Sequence, residues 1–132
     1  MKALVVSGKR KRAIARASCR EGSGIIRINS VPVEDYGNPL ARLFVQEPLI
    51  IAGDLSKQYD IHVHVKGGGW HSQAEAARLT IAKALVQATG SKKLKQDFLT
   101  YDRHLLVADV RRRETRKPNR SKARAKRQKS YR

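Results

Sequence analysis

Apolar residues recur at every second position in two stretches of this chain. Ala13, Ala15, Ala17 and Cys19 alternate with Ile14, Arg16, Ser18 and Arg20, and Tyr59, Ile61, Val63 and Val65 alternate with Asp60, His62, His64 and Lys66. A period of two is the mark of a strand with one buried face, so residues 13–20 and 59–66 are expected to be strands. The apolar run at 3–6, closed by Gly8, predicts another. Residues 25–29 read as the returning strand of a hairpin after the Glu21-Gly22-Ser23-Gly24 turn, and 104–110 as a last strand.

Elsewhere the spacing becomes helical. Over 72–89, Ala74, Ala77, Ile81, Leu85 and Ala88 form one apolar flank and Leu79, Ala82 and Val86 another, leaving Gln73, Thr80, Lys83 and Gln87 for solvent. Ser72 and Glu75 have capping-box spacing, and Gly90 supplies a C-terminal stop. Shorter helices are expected at 39–46, with Pro48 limiting the first, and at 91–98. Residues 49–52 suit either helix or strand. This order predicts an α+β or α/β layer, with at least one long helix packed on a sheet. Arg78 falls inside the apolar sector of the long helix. A buried cation needs a partner, and Asp102 is expected to supply it as a structural ion pair.

Charge changes the picture at the C-terminus. Residues 111–132 carry twelve Lys or Arg against one acid, Glu114, so +11 of the total +18 lies in one sixth of the 132-residue chain. The preceding 110 residues hold seventeen cations and ten carboxylates, a net of +7. With Pro118, Ala123, Ala125 and Tyr131 as its only apolar side chains, the segment cannot bury enough surface to offset its ordering entropy. The expectation is a globular domain over 1–110 and an extended basic tail over 111–132 that orders on a polyanion. Nucleic acid fits best, because its phosphates are closely spaced and binding releases condensed counterions. A membrane fits poorly: no apolar run approaches the roughly 18–20 residues of a spanning helix, and the tail lacks an apolar face. The absence of an apolar signal core and the lone Cys19 point to a reduced intracellular compartment. Seven aromatic residues are too few for recognition by a row of stacked bases.

Four consecutive cations, Lys9, Arg10, Lys11 and Arg12, repel one another and invite an anionic neighbour. Gly67, Gly68 and Gly69, ahead of the long helix, suit a tight turn, a phosphate cradle, or both. Neither a Gly-Lys-Ser/Thr nor a G-x-G-x-x-G spacing accompanies them, so they are no nucleotide motif. His62 and His64 share a strand face, but no cysteine and only a distant His71 could complete a metal site, so none is expected. Asp102, Arg103, His104 and Cys19 form no nucleophile–base arrangement, and neither catalytic residues nor a cofactor is expected. The expected phosphate contacts are therefore Lys9 to Arg12, Arg16, Lys66 and the three glycines. The tail adds Arg111, Arg112, Arg113, Arg116, Lys117, Arg120, Lys122, Arg124, Lys126 and Arg127.

Several longer motifs occur in order: Gly8-Lys9-Arg10-Lys11-x-Ala13-Ile14-Ala15-Arg16-Ala17, Gly22-Ser23-Gly24-x-Ile26-x-Ile28-Asn29, and Gly67-Gly68-Gly69-x3-Gln73-Ala74-x-Ala76-x-Arg78. Tyr101-Asp102-Arg103-x-Leu105-Leu106-Val107-Ala108-Asp109 and a closing Gln128-Lys129-Ser130-Tyr131-Arg132 follow. Together they resemble the universal small-subunit ribosomal protein nine family, in its archaeal and eukaryotic branch, over almost the whole chain. Trp70 and His71 stand where side chains vary, and Val110 stands where the eukaryotic relatives would have proline. The resemblance implies an α+β fold like the second domain of ribosomal protein S-five, a mostly antiparallel sheet backed by helices. It implies a cytoplasmic place in the head of the small ribosomal subunit, with small-subunit rRNA and other head proteins as partners. It further implies that the tail tip, Lys129, Ser130, Tyr131 and Arg132, approaches the anticodon stem-loop of peptidyl-site tRNA.

Overall fold

The computed structural model describes residues 2–126 and 128–131. The chain runs β1 (Leu4–Arg10), β2 (Ala13–Glu21), β3 (Ile26–Ile28), β4 (Val31–Pro32), α1 (Pro39–Ala52), β5 (Tyr59–Lys66), α2 (Trp70–Thr89) and α3 (Lys92–Tyr101). One sheet has the order β1-β2-β5-β3-β4, antiparallel except between β3 and β5. The fold is α+β, with α2 lying across β1, β2 and β5 and α1 packed beside it.

The two alternating runs are β2 and β5, and they pair with each other. Ala15 faces Val65, Ala17 faces Val63 and Cys19 faces Ile61. Small side chains on one strand thus sit beside branched ones on the next, and all six are buried. Burial also pushes the Cys19 thiol above its ordinary value. Helix α2 lies close against the sheet at Gly8, where an added β-carbon would stand 2.7 Å from Thr80 Oγ1. Thr80, expected on the solvent side, is fully buried because it fills the space Gly8 leaves. Its hydroxyl is satisfied by donating to the Ala76 carbonyl at 2.7 Å.

Several other boundaries differ from the sequence reading. Residues 25–29 do not return as a hairpin on β2, because β5 already occupies that edge. Instead β3 (Ile26–Ile28) runs parallel along β5. The Asn29 side chain continues the ladder, donating to the Val65 carbonyl (3.1 Å) and accepting from the Val65 amide (2.9 Å). The loop before β3 is tied to β5 by Asp60, whose Oδ1 accepts the amides of Ser23, Gly24 and Ile25 at 2.9–3.0 Å. These bonds, the one from Ile25 foremost, hold the Asp60 carboxyl below the usual carboxylate range. Helix α1 passes through Pro48 rather than ending before it; Val45, Pro48 and Ala52 all face the core, and that burial offsets the missing amide. Its start is capped by Asn38, which accepts from the Ala41 amide at 2.9 Å. Residues 104–110 are not a strand. Asp102 accepts the His104 amide (2.9 Å) and starts a 3₁₀ turn at Arg103–Leu105, from which Leu105 enters the core.

Beyond that turn the described residues form neither helix nor strand, and from Val110 onward nearly all are exposed. They are looped rather than drawn out straight, since Arg124 Nε meets Glu114 Oε2 at 2.9 Å. Among the described residues, no helix is long and apolar enough to cross a membrane.

Candidate nucleic-acid interface

Three basic or glycine-rich segments that are distant in sequence meet at one end of the sheet. The β1–β2 turn contributes Arg10, Lys11 and Arg12, the β5–α2 connection contributes Gly68 and Gly69, and residues 111–116 close the third side. They line an open groove of about 1080 Å³ whose only acid is Glu114. The glycines make this meeting possible. Gly67 and Gly68 have φ of +80° and +66°, and a β-carbon at Gly67 would stand 2.6 Å from the Arg12 carbonyl oxygen. Gly69 differs: its φ is −93°, and a β-carbon there would meet nothing within 4 Å. Gly67→Ala is therefore expected to destabilise the fold by about 1–3 kcal/mol through clash and positive φ. Gly69→Ala should cost less, about 0.5 kcal/mol, because it meets no clash and only exchanges glycine for a poorer residue at the start of the helix; denaturant unfolding of the two variants checks the contrast.

Gly69 is also the N-cap of α2, and no side chain caps the helix there. The capping box expected from Ser72 and Glu75 is not used, because the N-cap lies three residues earlier, at Gly69. Gln73 instead donates from its side chain to the Gly67 carbonyl (3.2 Å), and Glu75 turns toward Arg10.

The four cations at 9–12 do not act alike, because strand alternation separates them. Lys9 is exposed on the open face of the sheet, beside Ile14, which in turn pairs with Lys66. Arg16 and His64 form the next cross-strand pair on that face, and Ser18 and His62 the one after. Arg10 points to the helix side, with only 14% of its side chain exposed. Its Nε contacts Glu75 Oε2 at 2.5 Å and its Nη1 lies 3.1 Å from Asp109 Oδ2. Asp109 also accepts from the Arg111 side chain at 2.7–2.9 Å and from the Arg111 amide at 2.9 Å. These bonds, that side chain's first, drive the Asp109 carboxyl far below the usual range. Arg10 thus spends its guanidinium rooting the basic segment on the body. Lys11, at positive φ, and Arg12 form the exposed tip of the turn.

Arg78 is 8% exposed and sits between two carboxylates. Its Nη2 donates to Asp102 Oδ2 at 2.8 Å, and its Nε stands 2.8 Å from Glu47 Oε2, out of hydrogen-bond alignment. Burial raises the Asp102 pKa, but the His104 amide and Arg78 outweigh it, so the net shift is downward. Nothing in the sequence marks Glu47 for this role: Pro48 signals a helix end beside it, and only the continuation of α1 through Pro48 holds Glu47 against Arg78.

Of the remaining expected contacts, Arg113 and Arg116 line the groove, whereas Lys117, Arg120, Lys122, Arg124, Lys126, Lys129, Ser130 and Tyr131 are exposed away from regular structure. Arg127 and Arg132 lie outside the described residues. His62 and His64 are exposed, and among the described residues no three His, Cys, Asp or Glu are grouped to hold a metal.

The sequence profile described as ribosomal protein S9/S16 matches residues 8–132. Two curated relatives, both named small ribosomal subunit protein uS9, come from Methanococcus maripaludis strains C5 and C7. Each is 49% identical over 134 aligned positions that cover all of this chain and all of the relative. A basic groove built from dispersed segments, with no catalytic arrangement expected from its residues, accords with a protein that works by binding. The chain belongs to the ribosomal protein S9/S16 family, and is a structural ribosomal protein rather than an enzyme.

Proposed function

We propose that the chain is a component of the small ribosomal subunit head that binds rRNA through its cationic groove and sheet, and reaches peptidyl-site tRNA with its tail. The observation that carries the rRNA reading is the convergence of the β1–β2 turn, the glycine connection and residues 111–116 on one open groove. Phosphates suit it: side-chain cations and bare glycine backbone converge there with little competing acid. Lys9, Arg16 and Lys66 extend the contact over the open face of the sheet. The relatives' name supports the assignment to the small subunit; the reading adds rRNA and neighbouring head proteins of the cytoplasmic ribosome as partners.

Residues 1–110 act as the docking body and 111–132 as the arm. Fully extended, such an arm reaches at most about 75 Å at ~3.3–3.6 Å per residue. The loop closed by Glu114 and Arg124 would open as phosphates replace the single carboxylate. At the tip, Lys129, Ser130, Tyr131 and Arg132 would meet phosphates of the anticodon stem-loop. Such contacts position a tRNA without reading its sequence, as a site common to all tRNAs requires. Subunits carrying a chain that lacks 130–132 should assemble normally but release peptidyl-site tRNA several-fold faster. An unchanged dissociation rate would remove the tail from the site.

A further inference from the structure

Trp70 follows a groove-lining glycine without lining the groove itself, and charge does not explain it. It is the chain's single tryptophan, directly follows Gly69, and leaves 49% of its surface exposed. Its indole meets the His71 ring edge-on, with centroids 5.4 Å apart at 77°, and His71 meets Phe44 of α1 at 5.1 Å and 79°. The indole thus packs on His71, which Phe44 of α1 supports in turn, while much of its surface remains open. Gly69, just before it, and Ser72, two residues on, line the cationic groove, and apart from its chain neighbours nothing stands within 4 Å of a would-be β-carbon at Gly69.

We propose that Trp70 stacks on an unpaired nucleobase of the RNA whose backbone lies in the groove. A large ring held in water gains by being covered, and every nucleobase offers a flat apolar face. The charge of the adjoining groove selects the occupant: Lys11, Arg12 and Arg112 favour a polyanion over an apolar protein surface, which would bring no phosphates to them. Phosphate in the groove places its own base within reach of a ring one residue away. The inference rests on the reading of the groove as an RNA-phosphate site and adds the part of the nucleotide that the cations do not touch.

Because Trp70 is the only indole, its fluorescence reports the contact directly. The full chain is titrated with single-stranded poly(U) and, separately, with inorganic polyphosphate, which has the charge but no bases. Expected are tight binding of both, strong quenching by poly(U) alone, about tenfold weaker poly(U) binding for Trp70→Ala, and substantial recovery in Trp70→Phe. The salt dependence should be the same in all three proteins, since stacking releases no counterions. Thermal unfolding of Trp70→Ala controls for folding. Salt-dependent poly(U) binding without quenching, or unaffected by Trp70→Ala, would overturn the stacking and leave the ring to a protein neighbour, with the groove intact. Failure of both polyanions to bind would overturn the groove reading and the stacking together.

Discussion

Replacing Lys11, Arg12, Arg112, Arg113 and Arg116 together by alanine is expected to weaken rRNA binding about 100-fold or more near physiological salt. It should also flatten the dependence of log K on log salt by about three to five units, roughly one per lost phosphate contact. These five side chains come from two segments about a hundred residues apart and line one groove. A control of equal charge change away from the groove, neutralising the exposed Lys57, Lys92, Lys93, Lys95 and Arg103, should cost far less. If the two sets weakened binding equally, the protein would be held by net charge and the groove would have no special part. Arg10→Ala belongs to neither set. Arg10 is committed to Glu75 and Asp109, so its loss should first loosen the root of the basic segment, read as faster amide exchange around Asp109.

Removing both carboxylates around Arg78, by Glu47→Ala with Asp102→Ala, is expected to destabilise the fold by about 2–4 kcal/mol, because it strands a buried cation. Arg78→Met should cost less, about 1 kcal/mol. The Glu47 and Asp102 side chains it leaves are 26% and 35% exposed and can take up water, whereas the Arg78 side chain is only 10% exposed and cannot. Denaturant midpoints of the variants test this order; a larger loss from Arg78→Met would mean that the arginine stem, not its charge, holds the helices together. Acid adds a second signature. The folded-state pKa of Asp102 is depressed, so its contribution is present above the ordinary carboxylate value of about 4 and fades as pH falls through the folded value. Asp102→Asn should remove that part of the acid sensitivity.

These two expectations draw on different kinds of information. Alternation placed Arg16, His62 and His64 on an outward face and Ala13 to Cys19 inward, because side-chain direction in a strand is set by neighbours two residues away. The same local rule could not show where 25–29 would pair. That depended on β5 taking the second edge of β2, an event more than thirty residues downstream. Thr80 looked solvent-facing because a helix viewed alone has one polar side; only Gly8 on another strand makes room to bury it. Pro48 looked like a terminus because proline removes a helical hydrogen bond, yet core contacts on both sides of it held the helix together. The glycine run was legible as a special backbone, but not that Gly67 is needed against Arg12 while Gly69 is free.

Composition and order alone determined that this is a basic binding protein with an arm too poor in apolar surface to fold by itself, and the ordered motifs carried its family resemblance. Those properties are sums over residues or patterns within short windows. The tertiary structure decided which cations are available and which are spent. Arg10 and Lys11 are neighbours in the chain, but one is turned inward onto Glu75 and Asp109 and the other outward at the rim of the groove. That difference arises from strand alternation set against a helix sixty residues away, and charge counted along the chain does not contain it.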